Sequence, residues 1–200
     1  MPQRIQLFKS YLSQSLELSD ELWADLLEHT LVRKIKKSDY LFKEGEPTIH
    51  LFFILSGAFR MFYLNDGFKE YTVKFGFENS WISDLEAIQS EAPSKYHLQA
   101  IENAVVVQIA KCDMDVIFKN HPNFHFYYLA YLEKELVKSR NRIVLNIAHT
   151  AEDRFDNFVN KYAKFTNRIS DRHIASYIGV TPEFFSKLKK RKLREYLNLD

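Results

Sequence analysis

Residues 169–191 read ISDRHIASYIGVTPEFFSKLKKR, and this stretch decides what the C-terminal end of the chain is. Ile174, Tyr177 and Ile178 recur at helical spacing, so one short helix can bury a single face. Gly179 follows at the point where the chain must leave that helix, through a left-handed conformation that only glycine adopts cheaply. Thr181 is placed to cap the next helix, and Pro182 takes its first position, where a missing N–H costs nothing. Two helices joined by a tight glycine-containing turn make a helix-turn-helix. The second helix carries Glu183, Ser186, Lys187 and Lys190 away from Phe184, Phe185 and Leu188, with Arg191, Lys192 and Arg194 directly behind. That is the pattern of a DNA-reading helix. The competing reading is a helical hairpin whose lysines are only solvated.

Working outward, 200 residues suffice for one large domain or two modest ones, and 46% hydrophobic with 27% charged residues is ordinary globular composition. The formal charge of +2 identifies no partner, but beyond Phe184 the basic side chains far outnumber Glu195 and Asp200, so positive field gathers at the C-terminus. No stretch has eighteen uncharged apolar residues, and the N-terminus lacks a signal peptide's apolar core, so no membrane span and a cytoplasmic location are expected. Cys112 is the single cysteine, which excludes an internal disulfide and a cysteine-built zinc or iron–sulfur site within one chain. In its apolar context it reads as a packing residue. His121 and His125 have metal-ligand spacing, but Pro122 between them points to a helix start, and no metal site is expected.

Residues up to about 28 look helical, with Leu12, Leu16, Leu22, Trp23, Leu26 and Leu27 on an apolar face and Ser19 as a cap. From there to about residue 109, short β-prone runs (31–35, 40–42, 50–55, 58–64, 68–75, 96–101 and 104–109) alternate with turn signals such as Gly45, Pro47, Gly57 and Gly67. Strands at this spacing predict a β-roll or jelly-roll barrel. A long helix is expected from Pro122, with Leu129, Leu132, Leu136 and Ile143 on a seam near heptad spacing and Ser139 and Asn146 also facing inward. The seam either pairs two copies of the chain or is covered by the barrel. Thr150, Glu152 and Asp153 read as a fresh helix start. The fold class is therefore α+β, with a sensor-like barrel and N-terminal helices at 1–121, a long dimerisation helix at 122–148 and a helix-turn-helix domain, winged-helix-like, at 149–200.

At this point the chain resembles the Crp–Fnr family of bacterial transcription regulators over nearly its full length. The residues that carry the resemblance are FKEGEP from Phe42, HLFFILSGAFR from His50, and the C-terminal motif. The first two are similar to the family's entry into its cyclic-nucleotide-binding barrel. The family's phosphate-binding cassette presents Gly-Glu, which takes the ribose hydroxyl, and then Arg with Ser or Thr on the cyclic phosphate. Here those pairs fall on Ser83-Asp84 and Ser94-Lys95. Asp84 keeps the acid on a shorter arm, Ser83 replaces the glycine, and the arginine is gone; Lys95 has charge without a guanidinium's planar fork. The resemblance thus implies a ligand pocket at Trp81, Ser83, Asp84, Ser94 and Lys95, with Ser139 where cyclic-AMP responders place a hydroxyl. No cofactor is required, and a cyclic nucleotide is the disfavoured candidate.

By position in the motif, Ser170 and Thr181 belong to the DNA contacts, Thr181 on a phosphate. Pro182, Glu183 and Lys187 face base edges, while Lys189, Lys190, Arg191 and Lys192 hold phosphates. The expected function is a homodimeric DNA-binding regulator that senses an unidentified small ligand or partner and binds a near-palindromic operator; the resemblance also implies RNA polymerase as a partner. The alternative is a regulatory protein that retains cyclic AMP or a related nucleotide as its effector. An enzyme is not expected, because there is no glycine-rich phosphate loop and no nucleophile–base motif.

Overall fold

The computed structural model describes residues 2–197; Asp200, counted above in the charge balance, lies outside them, as does the end of the expected domain at 149–200. The chain divides into two compact units. One is the N-terminal part to Tyr63 together with Lys74–Glu135; the other is Leu64–Val73 together with the chain from Leu136 onward.

In the first unit, α1 (Pro2–Ser13) and α2 (Asp20–Glu28) precede the strands. Ser19 caps α2 by accepting from the Leu22 N–H at 3.1 Å, and Asp20 and Glu21 follow in the first turn. The strands are β1 (Thr30–Ile35), β2 (Tyr40–Phe42), β3 (His50–Ser56), β4 (Phe59–Leu64), β5 (Glu70–Gly76), β6 (Ser80–Ile82), β7 (His97–Ala100) and β8 (Ala104–Ala110), with a short helix α3 (Leu85–Ser90) between β6 and β7. They form two four-stranded sheets, ordered β1-β8-β3-β6 and β2-β7-β4-β5. The strand-prone runs read from the sequence recur to within a residue or two at their ends; β5 begins at Glu70, since Phe68 takes a left-handed conformation (φ 55°) in the turn and is 83% exposed.

Strand β3 is apolar at almost every position because both of its faces are covered. Phe52 and Ile54 join Phe59, Leu98 and Val106 inside the barrel, while Leu51, Phe53 and Leu55 meet Phe8, Leu12 and Leu26 of the helical layer outside. Strand β8 divides likewise, Ala104 and Val106 inward and Val105, Val107 and Ile109 outward. The turn between β3 and β4 requires glycine: Gly57 has φ +90°, and a Cβ there would lie 2.5 Å from Cβ of Ala104.

Helix α4 (Lys111–Asn120) and the start of α5 (Pro122–Ala148) complete the outer layer with Met114, Ile117, Phe124 and Tyr128. Cys112 is exposed, contrary to the packing role expected for it; α4 turns Met114 and Ile117 inward and leaves Cys112 on its outer face. His121 uses Nε2 against Asp25 at 2.7 Å, which draws the Asp25 carboxyl below its ordinary pKa. Among the described residues no cluster of three or more His, Cys, Asp or Glu could hold a metal, and no helix is long and apolar enough to cross a membrane.

The second unit continues with the rest of α5, then α6 (Ala151–Lys161), a single 3-10 turn (Thr166–Arg168), α7 (Asp171–Ile178) and α8 (Pro182–Leu197). No strand follows α5 among the described residues. Thr150 and Asp153 close a reciprocal capping box on α6. Thr150→Ala should therefore destabilise this unit by about 1 kcal/mol, read as a lower urea midpoint at unchanged m-value. An unshifted midpoint would show that the box contributes nothing.

Candidate nucleic-acid interface and barrel pocket

The helix-turn-helix forms as its residues require. Ser170 caps α7, accepting from the His173 N–H at 3.3 Å, and Gly179 closes it with φ +79°. Thr181 accepts from the Phe184 N–H at 3.2 Å and starts α8. Ile174, Ala175, Tyr177, Ile178, Phe185 and Leu188 are buried; Pro182, Glu183, Ser186, Lys187 and Lys190 are exposed. Positions 183, 187 and 190 project from one face of α8, opposite the buried pair 185 and 188. The Glu183 carboxyl is held below its usual range by its own backbone N–H and by the Thr181 hydroxyl.

The basic residues of α8 divide into two groups. Lys189 pairs with Asp171 at 2.8 Å, Lys192 with Asp156 at 2.8 Å, and Arg191 with Glu152 and, at 3.9 Å, Glu195. These contacts fasten α8 to α6 and α7. Lys187 and Lys190 pair with no acid among the described residues. Lys190, expected beside the phosphate contacts, shares its face with Glu183 and Lys187.

Two arginines that sequence reasoning missed brace this unit. Arg142 of α5 donates to the carbonyl oxygens of Thr72 (2.7 Å), Tyr177 (3.1 Å) and Val73, with its guanidinium 4.1 Å from the Tyr177 ring centroid. Arg154 of α6 donates to the carbonyls of Ile178 (2.8 Å) and His149 (2.8 Å). The Ser176 hydroxyl accepts from the Thr72 N–H at 2.9 Å and donates to the Glu70 carbonyl at 2.8 Å. The hairpin at 64–73 is thereby tied to α7. Nothing local marks these side chains, because an arginine on a polar helix face reads as solvated.

In the first unit, Asp84 and Ser94, 4% and 2% exposed, are brought together: Ser94 Oγ donates to Asp84 Oδ2 at 2.7 Å, while Asp84 Oδ1 caps α3 at Ala87 N. Ser83 Oγ accepts from Phe52 N at 3.2 Å and donates to the Ile82 carbonyl. Lys95 is exposed and reaches Glu86 at 2.6 Å, which raises its pKa. Trp81 lies in the outer layer, edge-on to Phe53 and Tyr128 and accepting the Tyr131 hydroxyl at its carbonyl (2.6 Å), whereas its neighbour Ile82 faces the barrel interior. Ser139 belongs to the second unit, lining a cavity there with Thr72 and Arg142. Of the α5 seam, Leu132 packs against the outer layer, while Leu129, Leu136 and Ile143 are 40%, 60% and 56% exposed.

Residues 32–121 match the cyclic nucleotide-binding domain model. The chain is 25% identical over 170 residues to the transcriptional activator protein Anr of Pseudomonas aeruginosa, covering 80% of this chain and 69% of that protein. It is 25% identical over 180 residues to electron transport regulator A of Shewanella oneidensis, covering 84% and 71%. In fold it is similar to the c-di-GMP-responsive global regulator CLP of Xanthomonas campestris, with TM-score 0.75 and 14% identity over 90% of this chain and 94% of that one. A barrel that matches the cyclic nucleotide-binding model, followed by a long helix and a helix-turn-helix, in a chain alignable with these regulators over most of its length, makes this protein similar to the Crp–Fnr transcription regulators.

Proposed function

We propose that the chain is a homodimeric DNA-binding regulator whose α8 reads base edges in the major groove and whose barrel responds to something other than a cyclic nucleotide. The observation that carries the first half is the exposed face of Glu183, Lys187 and Lys190, where the two lysines pair with no acid among the described residues while their neighbours do. Glu183 can accept from a cytosine amino group and Lys187 can donate to guanine O6 or N7. Pro182 has no N–H and offers only apolar contact. Two such helices in a dimer address successive major grooves about 34 Å apart, hence a near-palindromic site. No catalysis is part of this reading.

Selection of binding duplexes from a randomised library, followed by electrophoretic mobility shift, tests the proposal. Enrichment of a two-fold symmetric site is expected. Binding no better than background would remove the DNA-reading role.

The second half rests on the closed Asp84–Ser94 bond and on Lys95, which is committed to Glu86. A ribose hydroxyl or cyclic phosphate must break the first to enter, and it meets no guanidinium. Cyclic AMP is accordingly expected to bind no tighter than about millimolar, or ~4 kcal/mol. Calorimetry giving a micromolar constant would instead make the protein a cyclic-nucleotide responder.

A further inference from the structure

The second unit contains a cavity of about 450 Å³ whose lining is one-sided in charge. Lys138 and Arg142 reach it from α5, Arg154 and Lys161 from α6, with Asn157 and Asn160 of α6 beside them and no carboxylate in the wall. Its size falls within the range of small-molecule sites. The apolar part of the lining is Leu145, Ile178 and the Tyr177 side chain.

The state of the arginines is the informative part. Arg142 and Arg154 donate to backbone carbonyls, so two guanidinium groups line one cavity without a counter-ion among the described residues. Arg142 is largely desolvated, which pulls its pKa below the usual guanidinium value, and its Nε is a buried donor without an acceptor. Concentrated, partly buried positive charge of this kind is costly unless an anion completes it. The amide side chains add donors with no charge of their own. Lining positions 138, 142 and 145 of α5 lie on the face away from 136 and 143, while Asn146, also in the wall, belongs to the expected seam, so the cavity reaches the edge of the proposed dimer interface. Helix α8, with its reading face, contributes no lining residue.

We propose that this cavity is a binding site for a small multivalent oxyanion, carrying phosphate or carboxylate groups, distinct from the pocket of the barrel. The inference goes beyond the DNA-binding reading and does not depend on it.

The test is titration of the full-length protein with inorganic pyrophosphate and, separately, citrate, in moderate salt, followed by amide NMR and calorimetry. Saturable shifts at Asn157, Asn160 and Tyr177 are expected for at least one probe, with a Kd at or below about 1 mM. Whichever probe binds more tightly tells a phosphate source from a carboxylate source. A Lys138→Gln/Lys161→Gln double variant removes charge without touching the bracing arginines, and should weaken binding about tenfold at unchanged Tm. Lys187→Gln should leave it unaltered. The proposal is overturned if neither probe saturates, if the shifts gather on the lysines of α8, or if the double variant binds as tightly as the wild type.

Discussion

Leu136→Glu is expected to convert a homodimer into a monomer that remains folded. Leu129, Leu136 and Ile143 are exposed in the single chain, and Leu132 alone of the expected seam is partly spent on the barrel's outer layer. At a two-fold axis each introduced glutamate would face its symmetry mate, so two like charges would be buried together. Desolvation still costs several kcal/mol per ion after relaxation, and here the Coulomb contribution is repulsive as well. Light scattering should give the 23.8 kDa of one chain for the variant and twice that for the wild type, with unchanged helical circular dichroism. A folded variant that stays dimeric would place the interface elsewhere.

Lys187→Ala should cost on the order of 1–3 kcal/mol in DNA affinity and relax base preference at one position of each half-site. Lys190→Ala should weaken all sequences alike and reduce the slope of log affinity against log salt by about one unit. The two lysines share a face of α8 and neither pairs with an acid among the described residues, so what separates them is depth. Lys187 stands about one turn nearer the helix N-terminus, the end that enters the groove. Affinities across a randomised operator library distinguish the roles. Identical profiles for both variants would mean that both serve the phosphate backbone and that reading is done by Glu183 and its neighbours.

How much of this was legible beforehand follows from how local each signal is. The cap at Ser19, the helix start at Thr150, the left-handed Gly179 and Thr181 before Pro182 all depend on residues within a few positions of one another, and all were readable. So were most strands, because turn residues bracket them. Strand β6 and helices α3 and α4 were not: β6 has three residues, α3 has six, and α4 buries only Met114 and Ile117, too few to set up a period. At the barrel pocket, residue types could be placed by likeness to the family, but the bond between Ser94 and Asp84 could not, since it depends on where a ten-residue excursion returns. Arg142 and Arg154 lie at the far end of that scale. Their partners are carbonyls, which every residue possesses, so no sequence pattern announces them.

The chain passes between the two units three times, at residues 63/64, 73/74 and 135/136, because the tip of the β4–β5 hairpin belongs to the second. A helix-turn-helix half of this kind is not a cartridge. A fragment beginning at Leu136 would leave behind Thr72 and Val73, and with them most of the acceptors of a largely buried guanidinium and the partners of Ser176. Stranding such groups costs more than the bonds themselves contribute. A fragment excised from Leu136 onward should therefore fold poorly, whereas one that carries residues 64–73 joined to it should recover.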